Sequence, residues 1–147
     1  LETLADAHPE LGWWPKDRAA RALARSAANE MHSGFADLRQ HCPMDFLGRA
    51  PMASLPEPVA ANVRRIVRLW SDCRQAHGGG GPFLFGAFSI ADAMFAPVVS
   101  RFITYLPDLG PYGDSGLAAL YAKAAFAMPE MKEWAEGATA ERAKGWG

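Results

Sequence analysis

Residues Phe83 to Arg101 read FLFGAFSIADAMFAPVVSR and combine a helix start with a long apolar run. Ser89 and Asp92 have the spacing of a capping box, in which each residue's side chain accepts a hydrogen bond from the other's backbone N–H. Apolar residues crowd around Asp92, so we expect its carboxylate to enter a low-dielectric interior. Pro97 removes one backbone donor from the predicted helix, which predicts a kink after Ala93.

The rest of the chain also follows the helical period, and no alternating stretch of useful length predicts a strand. Residues 1–8 are expected to be the tail of a helix, and a glycine run at 78–81 is expected to form a flexible loop. Further helices are predicted over residues 17–40, 57–76, 89–105, 117–127 and 129–134. A polar, frayed tail is expected after the last of these. The sequence therefore predicts an all-α fold, a bundle of about five helices.

The length and charge of the chain narrow the class of protein. With 147 residues, half of them apolar, the chain can bury one substantial core, which indicates a single domain. Fifteen basic residues against sixteen acidic ones give a net charge of −1, and this balance favours neither nucleic acid nor an anionic membrane as a partner. The apolar runs are shorter than the roughly 20 residues that a membrane-spanning helix needs.

The cysteines and scattered histidines predict no special chemistry. Cys42 and Cys73 have no neighbours at metal or nucleophile spacing, and we expect no signal peptide. We interpret both as structural free thiols of a cytoplasmic protein. No metal site is expected from the histidines near the ends of predicted elements, His8, His41 and His77.

The capping-box stretch, with Phe-Leu-Phe-Gly upstream and Pro97 downstream, resembles the signature of the C-terminal domain of the glutathione transferase family. Residues 11–17, LGWWPKD, resemble the link from the thioredoxin-like half of such enzymes to their first C-terminal helix. Residues 128–134 resemble the closing helix of the family. The resemblance thus covers nearly the whole chain.

This resemblance implies a two-domain enzyme whose thioredoxin-like N-terminal domain binds glutathione and supplies a catalytic Tyr, Ser or Cys. Residues 1–15 would be the end of that preceding domain and the linker, and residues 16–147 the C-terminal helical domain. The catalytic residue is then expected outside this chain, in a longer polypeptide. The implied partners are glutathione as co-substrate, a small apolar electrophile and a second copy of the chain in a homodimer, with no metal.

The block EMHSGF at residues 30–35 is similar to one in the bacterial beta class, and zeta-like classes share parts of it. In the beta class the histidine, here His32, lies near the glutathione sulfur, and the next residue is usually lysine, where this chain has Ser33. Three positions that reach the partner subunit's glutathione in that class are matched by Arg25, Asn29 and Glu30. Helical geometry places Arg25, Asn29 and His32 on one face, roughly opposite an apolar stripe formed by Leu23, Ala27 and Met31.

The same residues have simpler interpretations. His32 is equally compatible with an ordinary solvated histidine, and Glu30 with surface pairing to Arg25 or Ser26 worth well under about 1 kcal/mol. The residues predicted to line the site of the apolar substrate are Met31, Phe35, Phe102 and Tyr105. Two functions stay open: a glutathione transferase domain, and a non-catalytic transferase-like binding or adaptor module.

Overall fold

The computed structural model describes residues 1–145, which fold as helices joined by turns and loops. Its α-helices are α1 (Glu2–Ala7), α2 (Arg18–Ser33), α3 (Ala36–His41), α4 (Glu57–His77), α5 (Ile90–Tyr105), α6 (Leu117–Phe126) and α7 (Pro129–Ala143). Two short 3-10 turns span Pro9–Leu11 and Gly110–Tyr112. Within this part of the chain, extended pairing is limited to isolated bridges between residues 83 and 87. The all-α prediction is confirmed, with seven α-helices in residues 1–145 where about five were expected.

One extra helix arises because the predicted helix over 17–40 is broken in two. Gly34 ends α2 in an extended conformation, and Phe35 follows with a left-handed φ of 60°. A Cβ on Gly34 would lie 2.7 Å from the carbonyl oxygen of Glu30, so only glycine fits this corner without a shift. The corner turns the chain into α3 and leaves Phe35 buried.

The last helix is longer than predicted. Pro129 occupies the first turn of α7 as expected, but the helix continues to Ala143 instead of ending near Trp134. The stretch after Trp134 is rich in Ala and Glu, which favour helix even where they contact little. Packing adds to this, because the Trp134 ring lies 4.7 Å from the ring of Phe46. Residues 146–147 of the predicted tail lie outside the described residues.

Trp70 of α4 forms the centre of the core. Its ring centroid lies 5.6 Å from that of Phe95, 5.1 Å from that of Phe102 and 4.8 Å from that of Tyr121. These contacts join α4 to α5 and α6, while α2 packs against α5. Contacts on more than one side explain why α5 is apolar around most of its circumference. The apolar residues that recur at helical spacing along α4 are buried, namely Val59, Val63, Ile66, Val67 and Trp70.

The capping box at the start of α5 is confirmed. Asp92 is only 1 % exposed, and its Oδ2 accepts from the Ser89 N–H at 2.8 Å and the Ser89 hydroxyl at 2.9 Å. Its Oδ1 accepts from the Leu84 N–H at 3.0 Å. Burial raises the pKa of Asp92, against the opposing effect of these hydrogen bonds. The buried Tyr121 hydroxyl lies close enough to interact with Asp92, but without standard hydrogen-bond geometry.

The glycine run after α4, which is expected to form a flexible loop, is joined to that helix by hydrogen bonds. Nη1 of Arg74 donates to the carbonyl oxygens of Gly81 and Phe83, each at 2.6 Å. The guanidinium therefore ties this loop to the last turns of α4. Together with the Leu84–Asp92 bond, it fixes the connection between α4 and α5.

The two cysteines are free and fully buried. Burial raises the pKa of Cys42, and it raises that of Cys73 to about 12 with a contribution from Asp72. Over residues 1–145, no cluster of three or more His, Cys, Asp or Glu side chains is arranged to hold a metal ion. No helix in the same part of the chain combines the length and apolarity needed to cross a membrane.

Candidate functional site

A groove lies where the corner between α2 and α3 faces α5, and we call it the apolar groove. It encloses about 330 Å³, within the range of small-molecule sites. Its lining residues are Met31, His32, Phe35, Leu38, Arg39, Met44, Pro97, Val98 and Arg101. Six of these are apolar, the other three are His and Arg, and none is a carboxylate. The left-handed conformation of Phe35 creates the corner that forms one wall.

A second depression of about 290 Å³, the polar cleft, lies between the start of the chain, α2 and α5. It is lined by Leu1, Glu2, Trp14, Arg25, Ala28, Asn29, His32 and Met94. Glu2, Arg25 and Asn29 give it donors and acceptors of both charge types. A zwitterionic ligand would find partners for both of its charges here.

His32 lines both the apolar groove and the polar cleft. Its side chain is exposed, and it makes no hydrogen bond or ion pair with any other residue of 1–145. The imidazole is therefore available to donate to, or accept from, a ligand that reaches across the junction. It is the one residue that the apolar groove and the polar cleft have in common.

Arg25, Asn29 and His32 lie together in the polar cleft, as the helical geometry predicted. Arg25 is partly engaged, because it pairs with the Glu2 carboxylate. Its guanidinium carbon also lies 5.8 Å from the ring centroid of Trp14, within the range of a cation–π contact. These contacts orient the guanidinium along one wall of the polar cleft.

Glu30 and Ser33 line neither depression. Glu30 accepts two hydrogen bonds from Arg65 of α4, at 2.6 and 2.7 Å. Glu30 thus makes an ion pair at the surface, as the simple interpretation expected, but with Arg65 and not with Arg25 or Ser26. The pairing with Glu30 raises the pKa of Arg65. The Ser33 hydroxyl donates to the Asn29 carbonyl oxygen at 2.9 Å, a bond within its own helix.

The four residues predicted to contact the apolar substrate are divided between two environments. Met31 and Phe35 line the apolar groove, but Phe102 and Tyr105 do not. Phe102 is 1 % exposed and packs against Trp70. The buried Tyr105 donates its hydroxyl proton to the Pro43 carbonyl oxygen at 2.8 Å. Both side chains serve the contacts that hold α5 in the core.

Sequence reasoning missed four residues that line the apolar groove, one on α3 and three on α5. Arg39 follows a helix break that the apolar period did not reveal, and Pro97, Val98 and Arg101 come from another helix. One signal was present, since α5 has only two charged residues, Asp92 and Arg101. A lone arginine in an otherwise apolar helix must find polar partners or reach solvent.

The comparison with known families agrees with this architecture. The family model described as "Glutathione S-transferase, C-terminal domain" matches residues 17–140, which is most of the chain. No curated protein matches the sequence. The match begins at Asp17, the N-cap of α2, and ends within α7, so it includes both walls of the apolar groove. The chain belongs to the family of glutathione S-transferase C-terminal domains.

Proposed function

We propose that this chain acts in a glutathione transferase, where it provides the site at which an electrophile meets the glutathione sulfur. In this proposal the apolar groove holds the electrophile, and the polar cleft holds part of the tripeptide. The reaction is glutathione conjugation or a related glutathione-dependent step. The family membership supports the general class, and the arrangement around His32 supports the division of roles.

The observation that carries the proposal is the position of His32 at the junction of the two depressions. A transferase must bring a polar peptide and an apolar molecule together at one atom, the sulfur. Two adjoining depressions, one lined mainly by apolar residues and one by equal numbers of polar and apolar residues, with one imidazole shared between them, meet this requirement.

The imidazole has a defined task in this scheme. The thiolate is the reactive form of a thiol, and an N–H donor from His32 would favour the thiolate by hydrogen bonding. Placing the thiolate against the carbon of a bound electrophile converts a bimolecular encounter into a local reaction. Met31 and Phe35 would hold the apolar part of that electrophile.

Arg25 and Asn29 would contact the peptide part of glutathione. A guanidinium suits a carboxylate, and a primary amide both donates and accepts. Glu30 and Ser33, which the resemblance also makes candidates for glutathione binding, would be weaker contacts, because each already has a hydrogen-bond partner within the chain. For Glu30 to receive the glutathione ammonium, its two hydrogen bonds with Arg65 would have to open.

The wider arrangement follows the family. The catalytic Tyr, Ser or Cys would come from a thioredoxin-like domain, with residues 1–15 as the end of that domain and the linker. The active form would be a cytoplasmic homodimer. Sedimentation of the purified protein tests the dimer directly, since a monomer at micromolar concentration would contradict it.

Calorimetric titration tests the function in the native polypeptide that carries residues 1–147. The ligands are glutathione and S-hexylglutathione, whose alkyl chain imitates an apolar product. We expect both to bind, and His32→Ala to weaken binding by on the order of tenfold, equivalent to one lost hydrogen bond to a charged group. His41→Ala is the matched control and should bind as the wild type does. If neither ligand binds, the non-catalytic adaptor becomes the better description.

A further inference from the structure

The apolar groove is lined by two guanidinium groups, Arg39 on α3 and Arg101 on α5, and neither makes an ion pair with a carboxylate of residues 1–145. Arg39 is exposed and makes no hydrogen bond or ion pair with other residues of 1–145. Arg101 is half-buried, and its Nε donates to the Cys42 carbonyl oxygen at 2.9 Å. Its Nη1 donates to the Pro97 carbonyl oxygen at 3.0 Å and contacts the sulfur of Met44. Every partner of Arg101 is therefore neutral.

The two positive charges also affect each other. Burial lowers the pKa of Arg101, and the neighbouring charge of Arg39 lowers it further. Elsewhere in the described residues, five arginines make ion pairs with carboxylates. Among the described residues, Arg39 and Arg101 share the lack of a carboxylate partner with Arg18, Arg21, Arg49 and Arg74, but they are the two arginines that line the apolar groove, where a small anion could reach both.

We propose that the apolar groove selects an amphipathic anion, with an apolar body against Met31, Phe35 and Val98 and one carboxylate near Arg39 and Arg101. The inference rests on the proposed function, because it names the class of electrophile that the transferase would take. Arg39 and Arg101 are then the residues that determine specificity. The uncharged electrophiles expected from the sequence would be the poorer ligands.

The chemistry of the groove supports this choice. Guanidinium groups form short, charge-assisted and often bidentate hydrogen bonds with carboxylates. Arg101 is already oriented by two backbone carbonyls, so little conformational freedom would be lost when it binds an anion. A carboxylate would also relieve the repulsion between the two cations. An uncharged ligand of the same shape would leave that repulsion in place.

A matched pair of probes isolates the charge. The carboxylate 4-phenylbutyrate and the amide 4-phenylbutyramide have the same apolar body, and binding of each is followed by calorimetry without glutathione. At low ionic strength we expect the carboxylate to bind on the order of tenfold more tightly. Added salt should reduce the preference, because the cations lie at a solvent-accessible site. Equal affinities, or failure of both probes to bind at millimolar concentration, would overturn the proposal.

The decisive variant is Arg39→Gln, because Arg39 makes no hydrogen bond that the substitution would remove. We expect it to reduce the preference for the carboxylate to about threefold or less, since one of two cations is lost. The control is Arg68→Gln on α4, which removes an arginine that is 79 % exposed and lines neither depression. Its preference should equal that of the wild type. A preference that survives Arg39→Gln unchanged would contradict the assignment.

The experiment separates this inference from the proposed function. The probes contain no glutathione, so a preference for the carboxylate would stand even if the glutathione titration failed. Glutathione binding with equal affinity for the two probes would leave the transferase proposal intact and refute the anion selectivity alone. Arg101→Lys provides a second variant, since it keeps the charge and should retain most of the preference.

Discussion

The two charged residues of α5 lie near opposite ends of the helix and in different environments. At its first turn, Asp92 is buried and accepts three hydrogen bonds from Ser89 and Leu84. Near its last turn, Arg101 faces the apolar groove with only neutral partners and a second cation nearby. Both side chains lie in an apolar helix and have only neutral partners, but Asp92 is buried within the fold whereas Arg101 lines a groove that a ligand can reach.

The difference indicates which charge serves the fold and which is available for a ligand. A buried carboxylate with complete hydrogen bonding fixes a unique arrangement of the chain around it. A cation that the protein leaves without a counter-charge, on a concave surface, is available to one brought by a ligand. The same contrast applies along α2, where Ala24 and Ala27 are buried and His32 lies open at the junction.

Asp92→Ala should cause the largest loss of stability if Asp92 holds the start of α5 in place. It leaves the Ser89 and Leu84 N–H groups buried without an acceptor, so the free energy of unfolding should fall by about 3–5 kcal/mol. Urea denaturation measures the change. The matched control is Asp72→Ala, because Asp72 is 61 % exposed and only 3.7 Å from Arg68 in a surface pair. The control should change the free energy of unfolding by less than about 0.5 kcal/mol. An equally small loss for Asp92→Ala would contradict the claim that Asp92 serves the fold.

Gly34→Ala tests the corner that forms the wall of the apolar groove. The new Cβ would meet the Glu30 carbonyl oxygen at 2.7 Å, and relieving such overpacking costs about 1–3 kcal/mol. The control is Gly137→Ala within α7, where a Cβ meets no atom within 4 Å. This control should stabilise the protein by up to about 1 kcal/mol. Equal effects of the two substitutions would show that the corner does not depend on glycine.

Alkaline pH tests Cys73, a buried residue of α4 whose pKa the Asp92 charge also helps to raise. The pKa of Cys73 is raised from 9.0 to about 12, chiefly by burial. An acid whose folded pKa is raised adds stability that is complete below pH 9 and is lost as the pH rises towards 12. The loss from this thiol is about 1.4 kcal/mol per pH unit in that window. The free energy of unfolding, measured as a function of pH, should fall more steeply for the wild type than for Cys73→Ala above pH 9, by this amount. The same pH dependence in both proteins would contradict the raised pKa of Cys73.

His32→Ala should have the smallest effect on stability, because the side chain is exposed and makes no hydrogen bond with other residues of 1–145. Thermal or urea unfolding should differ from that of the wild type by less than about 0.5 kcal/mol. His41→Ala provides the reference for an exposed histidine. A loss above about 1.5 kcal/mol for His32→Ala alone would identify the histidine as structural.

Much of the fold was predictable from local signals. The Ser89–Asp92 spacing marked the start of α5, and Tyr105 was correctly predicted as its end. The inward residues of α4 followed from the helical period, since burying an apolar stripe needs no knowledge of the partner helix. The break at Gly34 was missed because the apolar stripe continues across it, and the close approach to Glu30 that requires glycine depends on backbone geometry.

The candidate site was less accessible from the sequence. His32, Met31 and Phe35 were found because they fall within one short block. Arg39 and Arg101 were missed because their juxtaposition depends on the α2–α3 corner and on how α5 packs against α2. The partner of Glu30 was also missed, since Arg65 is 35 residues away in sequence. Contacts between helices depend on the tertiary fold, and the apolar pattern of one helix does not specify them.

The methionines offer the most direct test of the central claim, that the electrophile and glutathione sites meet at His32. Met31 and Met44 line the apolar groove, Met94 lines the polar cleft, and Met128 and Met131 lie together at another surface. Methyl NMR of ¹³C-methionine-labelled protein during titration with S-hexylglutathione reports on all of them at once. We predict shifts at Met31, Met44 and Met94, with Met128 and Met131 unchanged. Shifts confined to Met128 and Met131, or none at all, would contradict the account.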